Sequence, residues 1–188
     1  AGLSASTPSS GTIPSGSYYA RVLGLRITNP TGSEIRLTGA TVRRTGILAD
    51  SDVQGILVTD GSGILHGSLV TFGQSIAYPG FANDPIIIAP NSTVDVTFNV
   101  NIRSTATTGT IGMSINSASD LTFTDATGNA ITVGGTFPIQ SNLQNIVTGT
   151  GSIGAVKVSS RTIVGGNSTS RFLIDQGTLG VDVAKFRI

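Results

Sequence analysis

The stretch Thr93-Val-Asp-Val-Thr-Phe-Asn-Val-Asn-Ile102 decides the fold class. Val94, Val96, Phe98, Val100 and Ile102 fall on one face, and every residue between them is polar. Successive side chains of a strand point to opposite faces, so this alternation reads as a strand with one face in a core. Thr110-Ile-Gly-Met-Ser-Ile-Asn116 repeats the pattern with Ile111, Met113 and Ile115. Leu121 and Phe123 continue it, and Asp125-Ala-Thr-Gly-Asn129 reads as a turn before Ile131 and Val133. Upstream, strands are expected over Tyr19 to Thr28 and Glu34 to Arg43, joined by a hairpin-style turn at Asn29-Pro-Thr-Gly-Ser33. Val53 to Thr59 and Gly63 to Phe72 flank a second hairpin signal, Asp60-Gly-Ser-Gly63. No window carries apolar residues at helical spacing between a cap and a terminal Gly. The spacing therefore predicts an all-β chain, an antiparallel β-sandwich of jelly-roll or Ig-like type with a C-terminal β tail.

With 188 residues the chain suits one domain with an appendage. An N-terminal extended segment is expected over 1–16, the sandwich over 17–138, a polar Gly-rich linker over 139–154, and a β tail over 155–188. That tail is too small to bury a core of its own. It also resembles the head: Ser9-Ser-Gly-Thr-Ile-Pro-Ser-Gly16 matches Ser159-Ser-Arg-Thr-Ile-Val-Gly-Gly166 at both serines, Thr, Ile and the last Gly. At the same offset Arg21 aligns with Arg171 and Leu23 with Leu173, and with a gap Leu25-Arg-Ile27 meets Phe186-Arg-Ile188. Chance similarity between Ser/Thr/Gly-rich stretches is one explanation. The other is a second copy of the opening strands, which would leave an apolar face and a strand edge to be paired, and another copy of the chain is the obvious partner. Val181 and Val183 share one parity and Phe186 and Ile188 the other, so a bulge near Ala184-Lys185 would align all four as subunit-pairing residues.

Composition narrows the chemistry. Charged residues are 11% of the chain against about 25% in an average soluble protein, which argues against a phosphate-gripping surface. The absence of Cys excludes disulfides, thiolate metal sites and thiol catalysis. One histidine, His66, leaves little for acid–base catalysis, and no Gly-x-Ser-x-Gly elbow or phosphate loop occurs, so no enzyme and no catalytic residues are expected. Trp is absent and Tyr is limited to Tyr18, Tyr19 and Tyr78, which removes the aromatic platform a glycosidase or sugar-binding module would use. Asp50-Ser-Asp52 lies in an expected loop and is the better candidate for calcium, the one cofactor considered, with Asp120, Asp125 and Asn129 behind it. Asp and Asn also favour turns for their own hydrogen-bonding reasons. Arg21, Arg26, Arg36, Arg43 and Arg44 lie in the first two expected strands without interleaved aromatics, a pattern suited to a solvated face or subunit pairing and not to nucleic acid. Asn91-Ser-Thr93 and Asn167-Ser-Thr169 are glycosylation-type sequons. No apolar run approaches the roughly 20 residues of a membrane helix. The Ala-Gly-Leu-Ser start and the Ser/Thr/Gly/Asn-rich composition fit an exported protein with its signal peptide removed.

In pattern and composition the chain resembles secreted β-sandwich subunits of prokaryotic surface layers and donor-strand extracellular fibres. That resemblance implies a sandwich whose groove accepts a strand from the next subunit, giving a homopolymer at the cell surface. A monomeric adhesion or ligand-binding module of a longer exported protein, or a viral capsid or tail component, are the alternatives.

Overall fold

The structure, a computed structural model, describes residues 1–148, in which strands are numbered β1 to β15 along the chain. A five-stranded sheet runs in the order β1 (Gly2–Leu3), β3 (Ala20–Asn29), β10 (Ser92–Ile102), β6 (Val53–Thr59), β7 (Leu65–Val70). A six-stranded sheet runs β2 (Gly11–Pro14), β15 (Gln144–Val147), β11 (Gly109–Ile115), β5 (Val42–Thr45), β8 (Ile76–Ala77), with β14 (Ile139–Gln140) also on β11. Four strands make the third: β13 (Ala130–Ile131), β12 (Leu121–Asp125), β4 (Ile35–Ala40), β9 (Ile86–Ile88). Pairing is antiparallel except between β2 and β15. Helix among the described residues is limited to two short 3-10 turns, Asp50–Asp52 and Ala118–Asp120. This is the all-β antiparallel sandwich that the alternation predicts.

β3 and β10 form the centre, where Leu23, Leu25 and Ile27 join Val96, Phe98 and Val100 in the core. Leu23 pairs with Phe98 but Arg21 with Asn99, so Val22 is a bulged extra residue. One inserted residue flips parity, and it returns Arg21 to the outer face that Arg26 occupies, although their odd spacing alone would separate them. The polar side of β10 is covered over its second half as well: Thr97, Asn99 and Asn101 are buried, while Thr93 is exposed. Asn101 Oδ1 accepts from the Tyr19 N–H at 2.9 Å and Asn99 Nδ2 donates to Thr59 Oγ1 at 3.1 Å, which makes burial tolerable.

Four expectations about organisation change. The turn at Asn29–Ser33 is not a hairpin: β3 belongs to the first sheet and β4 to the third. Asn29 has no exposed surface, and its amide donates to the carbonyls of Ser33, Ile88 and Ala89 while Oδ1 accepts from Thr31. That side chain ties the chain to β9 and turns it between layers. The single strand expected over Glu34 to Arg43 breaks at Thr41, where it passes from β4 to β5 and from one sheet to another. The segment 1–16 is not outside the sandwich, because β1 pairs with β3 and β2 with β15. Nor do residues 139–147 act as a linker: β14 and β15 both pair with β11, and Ile139 and Ile146 are 2% exposed. Polar neighbours hid these short strands, since Ile139 and Ile146 are their only buried apolar residues. The expected tail over 155–188, with Val181, Val183, Phe186 and Ile188, lies outside the described residues.

Candidate functional site

β10 pairs with β3 from Ser92 onward but meets β6 only from Thr97. β6 stops at Thr59 because Asp60-Gly-Ser-Gly63 turns the chain back into β7. Asp60 Oδ1 accepts from the N–H groups of Ser62 and Ile64 at 2.9 and 2.8 Å, and Gly63 takes the left-handed φ of +82° that closes the hairpin. Gly61 packs against the Asp95 backbone, where an added Cβ would come 3.4 Å from the Asp95 carbonyl oxygen. On that flank Ser92, Thr93 and Val94 therefore have no strand partner among the described residues. Facing them, β9 pairs with β4 on one side only. Between the turn and β9 opens a cleft of about 600 Å³, whose lining includes Asp60, Ile64, His66, Asp84, Ile87 and Val94.

Apolar and acidic side chains line the cleft together. Ile64 is 58% exposed and Ile87 52%, so both present apolar surface to solvent beside the cleft. His66 is buried, with its ring tilted against Phe81 at a centroid distance of 6.4 Å. Its Nδ1 lies 2.9 Å from the Asp84 carbonyl oxygen, an atom that only accepts, so Nδ1 carries the proton. In the neutral ring Nε2 is then a lone-pair acceptor. It is buried, has no hydrogen-bond partner, and sits 3.7 Å from Asp60 Oδ2, another acceptor. The Asp84 carboxylate lies 3.4 Å from Nδ1, and its side chain is 62% exposed. Two carboxylates thus converge on the imidazole ring with no lysine or arginine partner among the described residues. Such a place attracts an ammonium or guanidinium group.

The pair expected to hold calcium, Asp50 and Asp52, lies elsewhere, and at Asp50 other groups already donate to the carboxylate. Arg44 Nε approaches Asp50 Oδ1 at 2.6 Å and the Ser75 N–H donates to Oδ2 at 2.7 Å, so both oxygens already have donors. Burial pushes the Asp50 carboxyl up, but the Ser75 N–H and the Arg44 guanidinium outweigh it and hold its pKa below the ordinary value. Asp52, in the same 3-10 turn, completes no cage, for no three His, Cys, Asp or Glu side chains among the described residues gather as metal ligands. Asp120 is likewise engaged, by Arg43 at 2.7 Å and by the N–H groups of Asn116 and Ser117. Asp125 Oδ1 accepts from Thr127 and Asn129 within its own turn. Arg26 forms two hydrogen bonds to Asp95, at 2.9 and 2.8 Å, and Arg36 pairs with Glu34. Four of the five early arginines therefore staple strands and turns. Asn91 is exposed at the turn entering β10.

Sequence reasoning weighed His66 alone and missed Asp84, Ile64 and Ile87. The available signal was the short Pro85–Pro90 apolar run, which could not show what lay opposite it. No helix among the described residues is long and apolar enough to cross a membrane. No protein-family model and no curated protein matches the chain.

Proposed function

We propose that the chain is a structural subunit of an extracellular filament or surface layer, exported and joined to its neighbours by strand exchange. The observation that carries this reading is the half-paired start of β10 beside the exposed Ile64 and Ile87. Free backbone next to apolar side chains is what an added strand uses for affinity and register. The head–tail similarity supports it: of the residues shared with the tail, Ile13 and Leu23 lie in the core and Arg21 on the outer face. A tail carrying the same pattern has apolar side chains that gain by burial in a neighbour, roughly 1.5–3 kcal/mol each before ordering costs. A donated strand points one way, so the contact is heterologous and repeats into a polymer unless it closes a ring.

Light scattering on size-exclusion fractions and electron microscopy test the reading. The full chain should form assemblies that grow with concentration, and a chain lacking residues 159–188 should run as a folded monomer. Assembly of the shortened chain as before would refute strand donation by the tail. The grouping of Asp60, His66 and Asp84 in the cleft keeps a monomeric ligand-binding module as the second reading. A full chain that stays monomeric at every concentration would favour it.

A further inference from the structure

We propose that the cleft between the Asp60–Gly63 turn and β9 is the acceptor for residues 181–188 of a second copy, Phe186 and Ile188 covering Ile64 and Ile87 while Lys185 or Arg187 meets Asp60 and Asp84. This assignment rests on the strand-exchange reading and deepens it by naming where the donated segment goes.

Three independent features select this occupant. The first is the acidic pair Asp60 and Asp84, whose carboxylates lie 3.7 and 3.4 Å from the His66 ring and have no lysine or arginine partner among the described residues. The second is charge. Residues 1–148 carry six arginines and eight carboxylates, a net of −2. Residues 149–188 carry Lys157, Arg161, Arg171, Lys185 and Arg187 against Asp175 and Asp182, a net of +3 that includes both lysines of the chain. The third is pattern. Leu25-Arg26-Ile27, which the tail matches as Phe186-Arg187-Ile188, already lies along β10 on its other flank. There Leu25 and Ile27 are buried and Arg26 forms its paired hydrogen bonds with Asp95. The tail triplet offers the same alternation of apolar and cationic side chains to the flank of β10 that has no strand. Lys185 and Arg187 share one parity and Phe186 and Ile188 the other, so one extended segment can present cations on one side and apolar groups on the other, to a cleft lined by Asp60, Asp84, Ile64 and Ile87.

The single histidine makes the test clean, because one set of imidazole resonances reports the cleft. The receiver is the full chain carrying Lys185→Glu and Arg187→Glu, so that its own tail cannot serve as donor. The probe is a synthetic peptide of native sequence over residues 180–188. Native peptide should move the His66 ring signals saturably, and a peptide with the same two charge reversals should bind weaker by roughly tenfold or more. The exposed changes Asp84→Lys and Ile87→Asn, made separately in the full chain, should each suppress assembly while leaving the circular dichroism spectrum unchanged. If the full chain assembles but neither assembly nor peptide moves His66, the cleft is not the acceptor and strand exchange uses another edge. If the full chain never assembles and the peptide does not bind, strand exchange itself is overturned. If calcium shifts the His66 signals and the peptide does not, the cleft is a cation site and the assignment fails.

Discussion

Asn29 shows how much one residue can decide. With no exposed surface it satisfies three backbone carbonyls and accepts twice from Thr31. Asn29→Ala would strand the Ile88 and Ala89 carbonyls and should lower unfolding free energy by about 1–3 kcal/mol, read from denaturant midpoints. Asp120 gives the pH dependence. Burial raises its pKa, but Arg43 and the Asn116 and Ser117 N–H groups outweigh that and hold it below its ordinary value of 3.8. Its contribution is fully present above the unfolded-chain value and is lost as pH falls through the lower folded value. Asp50 has the same sign. Stability should therefore be level from neutral pH down to about pH 5 and decline below about pH 4. Asp120→Asn should cost about 1–2 kcal/mol at neutral pH and flatten that decline, checked by urea unfolding across the range. Because Arg44 already supplies the positive charge at Asp50, a chelator should leave the melting temperature unchanged.

At the scale of elements, β14 and β15 separate local pattern from sheet membership. β15 carries β2 on one side and β11 on the other, so the six-stranded sheet needs it. Ile146→Ala should destabilise by about 2–5 kcal/mol, as for other buried large-to-small changes, with a matching fall in melting temperature. A residue in a true linker would shift it little. Gly46 makes the same point for β5. It has a φ of +90°, and an added Cβ would run into the Thr110 carbonyl on β11. Gly46→Ala should cost about 1–3 kcal/mol, again by thermal or denaturant unfolding.

For the whole molecule, the proposed strand exchange would bring residues 149–188, net +3, against residues 1–148, net −2, so association by that route should be sensitive to salt. At about 1 M ionic strength the screening length shrinks to about 3 Å, so assemblies present at low salt should weaken markedly, as seen by sedimentation velocity. Assembly that strengthens with salt would point to a purely apolar contact.

Period-two alternation is a local property, and it was enough to establish the all-β class, the β6–β7 hairpin at Asp60–Gly63 and the turn at Asp125–Asn129. Each of these depends on residues within a few positions of one another. What only the tertiary structure decided depends on residues far apart in sequence. Asn29 meets Ile88, which converts an apparent hairpin into a corner between sheets. Asp50 meets Ser75, which occupies a carboxylate that local spacing offered to a metal. The cleft exists because β6 ends while β10 continues, bringing His66, Asp84 and Ile87 around an edge that no short stretch of sequence contains. Alternation says which face of a strand is buried; which edge stays unpaired follows from where its neighbours stop.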